Sequence, residues 1–230
     1  MLVPSWFGED AVAAQRALQS TRRSVMRKWV VVLCSAILLA SLVAHVQAED
    51  SKVTALKERL TAEIDSAGNA SDAMKTFAKT NLIPQCTNPV FVEAVKAQNA
   101  TNQSLDQIKQ VDQEWTEAED ELPIHQELTS NACAEEIRKI CQQFSAVGET
   151  FVMDNQGANV GQNELTSDYW QGDEPKWQDA YRDGTGGVAV SEAKLDKSTG
   201  EVDQKMSLPI IDADGSVIGA VCFGMNPNAL

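Results

Sequence analysis

VDQKMSLPIIDADGSVIGAVCF, residues 202–223, is the stretch that decides the fold. Its first ten residues place apolar side chains on one face of a strand, at Val202, Met206, Leu208 and Ile210. The Asp-Ala-Asp-Gly sequence at 212–215 predicts a hairpin turn, and residues 217–223 predict the return strand. Because the return strand is apolar on both faces, we expect it in the centre of an antiparallel sheet.

Apolar and more polar side chains begin to alternate, with the period of about two residues that is typical of a strand, further upstream, after Gly148. Phe151 and Met153 alternate with more polar neighbours, and the Asn-Gln-Gly sequence at 155–157 predicts a turn toward a second strand. A further strand is predicted around Val190. Consecutive strands joined by short turns indicate an antiparallel arrangement.

The chain from residue 51 to about residue 144 has the helical period instead. Its first helix carries one apolar stripe, formed by Val53, Leu56, Leu60 and Ile64. Shorter helices are predicted after Pro89, after Ser104 and from Ser130 or Asn131 to Phe144. The pattern predicts an α+β fold whose helices cover one face of the sheet, and the first stripe either packs on that sheet or forms a homodimer.

The amino-terminal region predicts export. A basic segment precedes the uncharged apolar run from Trp29 to Ala44, and small residues follow at Val46-Gln47-Ala48. This is typical of a secretory signal peptide over residues 1–48, in which residues 1–25 are an upstream extension if Met26 is the true start. The predicted location is periplasmic or secreted. The alternative is an uncleaved membrane anchor, since about 16 apolar residues is just below the ~17–25 that span a bilayer.

Residues 49–230 are enough for one domain with its own core. We assign residues 49–148 to its helical part and residues 149–230 to its sheet and ligand-loop part. Residues 1–48 hold five basic and two acidic residues, which leaves 14 basic and 31 acidic residues, a net charge of −17. Such a surface repels phosphate backbones, and nucleic acid is therefore not an expected partner.

Cysteines in the exported part number four: Cys86, Cys133, Cys141 and Cys222. An even number in an oxidising compartment permits disulfides, and Cys86 with Cys133 is the first choice because both lie at helix ends. Cys141 and Cys222 lie on apolar faces, where a cysteine serves equally well as a small buried side chain. No zinc site or cofactor is predicted, because the chain has no CxxC spacing and His125 is the only histidine in this part.

Four aromatic residues fall within thirteen positions: Tyr169, Trp170, Trp177 and Tyr181. We call residues 168–182 the aromatic window. Charged side chains at Asp173, Lys176 and Arg182 lie among the rings. Rings that supply area and charges that set orientation are typical of a small-molecule pocket, and the alternative is a core cluster that plugs a loop.

Within this window Asp173 is a candidate helix cap and Pro175 a first-turn residue of a short helix. Trp177 and Tyr181 lie four residues apart and therefore share one face of that helix. We predict that Trp170 and Trp177 form walls for the ligand and that Tyr169 and Tyr181 donate hydrogen bonds. Asp173 would pair with a cationic group.

Residues 151–161, 166–174 and 207–221 together resemble the Cache domain family, also called PDC sensors, of the single-module periplasmic type. The resemblance covers about residues 149–225. It implies a PAS-like fold in which a long amino-terminal helix lies against one side of a five-stranded antiparallel sheet. It also implies a ligand between the other side of the sheet and the loop joining the second and third strands.

By this resemblance Asp154 ends the first strand and is a candidate ligand contact, although a turn role is the alternative. The Tyr169-Trp170 pair is similar to a tryptophan-tyrosine pair of the family in reversed order. An arginine that commonly precedes that pair is absent, so Lys176 or Arg182 would have to bind a carboxylate in its place.

No GxSxG, HExxH or GxxxxGK[ST] motif occurs in the exported part, and no enzyme is predicted. Cys133 or Cys141 with His125 is the remaining catalytic alternative. We predict an exported, non-catalytic sensor domain for a small molecule, such as an amino acid, amine or organic acid. Its signalling partner would be a membrane-bound sensor kinase or chemoreceptor. The other alternative is a ligand-free structural or protein-interaction module of the same fold.

Overall fold

The computed structural model describes residues 47–195 and 202–230. Glu49–Leu230 forms one compact unit. The predicted signal peptide, residues 1–48, falls almost entirely outside the described residues. In the two described ranges, no helix combines the length and apolar character needed to cross a bilayer.

All the described α-helices except the last lie in the first part of the chain, before the sheet. Side-chain caps explain where several of them begin. The helices are α1 (47–66), α2 (Asp72–Phe77), α3 (Pro89–Ala100), α4 (Leu105–Glu117), α5 (Pro123–Ser130), α6 (Ala132–Gln143) and α7 (Pro175–Tyr181). Ser104 and Gln107 form a reciprocal capping box at α4. The side chain of Asn131 accepts a hydrogen bond from the backbone of Ala134 and caps α6.

The strands form one antiparallel sheet in the order β2-β1-β6-β5-β3, with β4 also paired to β5. They are β1 (Val147–Met153), β2 (Asn159–Gln162), β3 (Ala189–Val190), β4 (Lys194–Leu195), β5 (Val202–Ile211) and β6 (Val217–Met225). The prediction that residues 217–223 form a central strand is confirmed, because β6 lies between β1 and β5. The described sheet has six strands rather than five, since the two-residue β4 adds to the expected set.

One face of the sheet packs against α1, α3 and α6 to form the main core. Leu60 and Ile64 of α1 and Phe91 of α3 are fully buried in the same cluster as Leu208 and Phe223 of the sheet. Burial of apolar area of this extent is the principal stabilising contribution to a fold of this size. The end of the apolar stripe of α1 therefore packs on the sheet of its own chain, as one of the two alternatives predicts, and the homodimer stays a prediction.

The opposite face of the sheet is covered by α7. Phe151 and Cys222 of the sheet form a second apolar cluster with Ala180, and Trp177 packs against this cluster. The predicted α+β architecture is confirmed, with an antiparallel sheet, a long first helix on one face and a β2–β3 connection across the other. This is the arrangement that the resemblance to the Cache family implies.

The predicted disulfide is not formed in the structure. Cys86 and Cys133 are free thiols, as are Cys141 and Cys222. Cys86 and Cys133 are both buried in the main core, where each acts as a small apolar side chain. Their positions near helix ends suggested a bridge, but which side chain each thiol meets depends on how the helices pack.

Candidate functional site

The first half of the aromatic window lies along the outer edge of the β1–β2 hairpin. The backbone N–H of Asn159 donates to the carbonyl of Tyr169, and the N–H of Gln171 donates to the carbonyl of Gly157, at 3.1 and 2.8 Å. A carboxylate oxygen of Asp112 in α4 accepts from the N–H groups of Tyr169 and Trp170, at 2.9 and 2.8 Å. The backbone of this segment is thus fixed from both sides.

Tyr169 points away from the sheet, into a small apolar cluster with α4 and α5. Its ring lies 5.9 Å from the ring of Trp115, and its hydroxyl accepts a hydrogen bond from Gln98 at 3.2 Å. Burial, together with the nearby carboxylate of Asp154, raises the pKa of Tyr169 to about 12. The predicted hydrogen-bonding hydroxyl is therefore engaged by the protein itself.

Trp170 is also engaged by neighbouring protein groups. Its indole N–H donates to the carbonyl of Gln156 at 2.7 Å, and the ammonium of Lys109 lies 4.6 Å from its ring centre. The sequence predicted Trp170 as a wall of the ligand pocket and Tyr169 as a hydrogen-bond donor to the ligand. Neither ring lines the cavity between α7 and the sheet that is described below.

Trp177 and Tyr181 share one face of α7, as their spacing predicts. Their rings stack with centres 4.9 Å apart and an angle of 19° between planes. The indole N–H of Trp177 donates to the carbonyl of Asp154 at 3.0 Å, which ties α7 to the β1–β2 turn. Burial, with the nearby carboxylates of Asp183 and Asp154, raises the pKa of Tyr181.

Asp154 organises the β1–β2 turn. One of its carboxylate oxygens accepts from the backbone N–H groups of Gln156 and Ala158, at 2.8 and 2.9 Å. Burial raises the pKa of this carboxyl group, and the backbone hydrogen bonds only partly oppose that effect. The carboxylate thus has the turn role that the sequence offered as an alternative, and its role as a ligand contact stays a prediction.

The free energy of unfolding of Asp154→Asn, relative to that of the wild type, should increase as the pH rises. The folded-state pKa of Asp154 lies above its unfolded value, near 3.9, so the wild type loses stability as the pH increases through the raised folded pKa. Asparagine keeps an oxygen acceptor for the turn and does not titrate. Urea denaturation at several pH values measures the difference. If the free energy of unfolding of the wild type increased relative to that of the variant with rising pH, the raised pKa of Asp154 would be contradicted.

The charged residues of the window take different positions. Lys176 forms an ion pair with Glu174 at 3.0 Å and lies 5.3 Å from the ring centre of Phe151. Arg182 binds both carboxylate oxygens of Glu63 in α1, at 3.1 and 3.0 Å. Asp173 is exposed, and the cap of α7 is Glu174 rather than Asp173.

A small cavity of about 80 Å³ lies between α7, β3 and β5 on the sheet face opposite the main core. Lys176 and Asp179 line it from α7, and Lys205 and Ser207 line it from β5. Ser207 is 1% exposed, and its hydroxyl has no nitrogen or oxygen partner among the described residues; only the thiol of its cross-strand neighbour Cys222, a weak hydrogen-bonding group, lies beside it. A thiol satisfies a hydroxyl only weakly, so this buried atom keeps hydrogen-bonding capacity that a polar guest could use.

The sequence missed Lys205 and Ser207 as site residues. The signal was present, because both alternate with the apolar side chains of β5 and so face the other side of the sheet. Lys205 forms ion pairs with Glu149 and, at 3.2 Å, with Asp203. Burial lowers the pKa of Lys205, but the hydrogen bond and charge of Glu149 outweigh it and hold that pKa above its usual range.

Two larger surface grooves lie elsewhere, with volumes of about 500 and 710 Å³. The first is bounded by the ends of β1, β4 and β6, and the second lies between α2 and the end of α6. Neither is lined by a residue with a buried polar atom that lacks a partner among the described residues. The smaller cavity at Ser207 is therefore the better candidate site.

Metal and thiol chemistry have little support in the described ranges. No group of three or more histidine, cysteine or acidic side chains is placed to hold a metal ion there. His125 packs against Trp115 and accepts a hydrogen bond from the backbone of Leu122 at 3.1 Å. Burial raises the pKa of Cys133 to about 12 and also raises that of Cys141, which disfavours the thiolate that a nucleophile requires.

No protein-family model and no curated protein matches the chain. Among solved structures it is similar to the sensor domain of the Vibrio cholerae histidine kinase DctB, with 15% identity over 81% of this chain and 57% of that chain and a TM-score of 0.36. The ligand-binding domain of the Campylobacter jejuni chemoreceptor Tlp3, in complex with 4-methylisoleucine, has 14% identity over 78% of this chain and 60% of that chain, with a TM-score of 0.36.

The ligand-binding domain of the Pseudomonas aeruginosa PAO1 amino acid chemoreceptor PctC, in complex with GABA, has 14% identity over 64% of this chain and 60% of that chain, with a TM-score of 0.30. These three structures are sensor or ligand-binding domains of a histidine kinase and of chemoreceptors. The chain spans about three fifths of the length of these solved domains.

Proposed function

We propose that this protein is an exported, non-catalytic sensor domain of the Cache type that binds a small molecule in the cavity at Ser207. The observation that carries the proposal is the buried Ser207 hydroxyl, which has no nitrogen or oxygen partner among the described residues and lies in a cavity between α7 and the sheet. A ligand there would complete the hydrogen bonding of this hydroxyl. Its signal would pass to a membrane-bound sensor kinase or chemoreceptor.

The lining of the cavity fits a small polar ligand. The ammonium groups of Lys176 and Lys205 suit an anionic group, and the carboxylate of Asp179 suits a cationic one. A volume of about 80 Å³ admits only a molecule of a few non-hydrogen atoms without rearrangement. Amino acids, amines and organic acids of this size are the classes to test. Of the predicted ligand residues Lys176 supports the proposal, and the ligand roles of the others stay predictions.

Export and location are part of the proposal. The basic segment, apolar run and small residues before Glu49 support a cleaved signal peptide and a periplasmic or secreted protein. If the segment is not cleaved, the domain would be anchored in the membrane by its amino terminus.

A ligand-free interaction module is the second candidate function, and one observation favours it. Tyr169, Trp170 and Trp177 all use their polar atoms on groups of the protein itself. The window therefore resembles, in part, the core cluster that was the alternative at the sequence level.

A thermal-shift screen of the exported protein against amino acids, organic acids, amines and nucleobases tests the proposal. A ligand at 100 times its Kd is expected to stabilise the fold by about 2.7 kcal/mol. Ser207→Ala should weaken binding roughly fivefold, because about 1 kcal/mol of hydrogen bonding is lost. Ser51→Ala, an exposed serine on α1, is the matched control.

The outcomes separate the candidates. A shift that is reduced by Ser207→Ala but not by Ser51→Ala supports the sensor. A shift that both variants keep in full places the ligand outside the cavity. Turnover of a bound compound supports an enzyme, and silence across the panel favours the interaction module.

A further inference from the structure

The cavity at Ser207 shares a wall with a second void. A groove of about 330 Å³ lies on the other side of β3, next to the end of α1. Asp179 and both residues of β3, Ala189 and Val190, line the cavity and the groove alike. The strand β3 is thus the partition between the two spaces.

The edge of β3 that faces α1 is held by two side chains, which we call the latch. A carboxylate oxygen of Glu63 accepts from the backbone N–H of Val188 at 3.1 Å. The side-chain amide of Asn69 donates to the carbonyls of Val190 and Ser191, at 2.6 and 3.1 Å. On its other edge β3 pairs with β5 through two residues. The two-residue strand has few backbone hydrogen bonds, and Ser191 beyond it is also held from β5 by Gln204 and Lys205, so the latch acts mainly on residues 188–190.

The chain that leads into β3 contains a strained segment. Arg182 and Asp183 have φ values of 49° and 50°, and Gly184 and Gly186 have values of 78° and 74°. Residues with side chains adopt this region only when surrounding contacts hold them there. Those contacts come from α1, where Glu63 binds Arg182 through both oxygens, and Arg59 donates to the carbonyls of residues 185 and 186 at 2.6 and 3.1 Å.

The structure assigns β3 the role of a gate between the groove and the cavity, with Glu63 and Asn69 as its latch. Displacement of residues 188–191 joins the two voids into one space within the ~300–1,000 Å³ typical of ligand sites. It also opens a path from solvent to the Ser207 hydroxyl. Release of Glu63 relaxes the strained segment at the same time, so the two movements support each other. This inference rests on the proposed function, because it concerns access to the same cavity.

Thiol labelling of the cavity tests the gate without any natural ligand. Ser207→Cys is introduced into a protein that carries Cys222→Ala, because residue 222 is the cross-strand neighbour of residue 207. The rate of modification at position 207 by methyl methanethiosulfonate is followed by peptide mass spectrometry. Glu63→Gln and Asn69→Ala are each expected to raise this rate by about tenfold, through lost hydrogen bonds of the closed state. Glu58→Gln, the same change at an exposed position of α1, is the matched control.

Hydrogen exchange separates gate opening from unfolding. The amide of Ser191 donates to the carbonyl of Lys205 and should exchange faster in both latch variants. Amides of the central strand β6 should not change. The gate is overturned if labelling in the latch variants matches that in Glu58→Gln, or if it rises only together with exchange in β6. If the latch variants label faster but no compound shifts the melting temperature, the sensor proposal fails and the gate stands. If Ser207→Ala reduces a thermal shift but the latch variants do not label faster, the gate fails and the sensor proposal stands.

Discussion

Replacing Gly157 by alanine is expected to lower the free energy of unfolding by roughly 2–4 kcal/mol, from left-handed strain and overpacking together. Gly157 has a φ of 88°, a conformation that residues with a side chain rarely adopt. An alanine Cβ would also lie 2.4 Å from the Cα of Gly172. The nearest atoms to this Cβ all belong to the backbone of Gly172 and Gln171. Because none of them is a flexible side chain, the β1–β2 turn or the aromatic window has to move.

Thermal and urea denaturation of Gly157→Ala measure this loss. A domain of this size loses about 2–4 °C of Tm for each kcal/mol, so a decrease of roughly 6–12 °C is expected for a loss near 3 kcal/mol. Gly68→Ala is the control, because its Cβ meets no atom within 4 Å. Equal stability of the two variants would show that the turn and the window do not pack as described.

Replacing Asp112 by alanine is expected to cost roughly 2–4 kcal/mol, because two charge-assisted hydrogen bonds to partly buried amides disappear together. One carboxylate oxygen accepts from the N–H groups of both Tyr169 and Trp170, so a single side chain on α4 holds the window backbone. Without these hydrogen bonds the rings of Tyr169 and Trp170 should become more mobile, because the backbone that carries them is no longer held by α4.

Asp112→Asn is the matched control, since an amide oxygen can accept the same two hydrogen bonds. It should retain most of the stability, with a loss of under about 1 kcal/mol for a neutral in place of a charged acceptor. Urea denaturation gives both values, and tryptophan fluorescence reports the environment of Trp170 together with those of Trp115 and Trp177. If alanine and asparagine were equally tolerated, the window would not depend on α4.

Much of the fold could be predicted because side-chain periodicity is a local property. Residues 217–223 are apolar on both faces, and β6 is the central strand. The stripe that ends at Leu60 and Ile64 is the buried face of α1. Strand β4 was not predicted, since two exposed residues carry no pattern that distinguishes them from a loop.

The candidate site was predictable only in part. The four-residue spacing of Trp177 and Tyr181 placed both on one helix face, and their rings stack. Arg182 looked like a ligand residue because it follows those rings, yet its partner is Glu63, far away in the sequence. The alternation along β5 places Ser207 on the sheet face opposite the main core, but alternation alone does not show that a cavity adjoins it.

The amino-acid sequence by itself determined most of the secondary structure, the hairpins, the central strand and the segment that crosses the second sheet face. These follow from the spacing of apolar and turn-forming residues over a few positions. Tertiary structure decided which groups the aromatic rings bind, that the thiols of Cys86 and Cys133 remain free, and that a cavity remains at Ser207. Such contacts join residues from distant parts of the chain, and their geometry is set by how whole helices pack on the sheet.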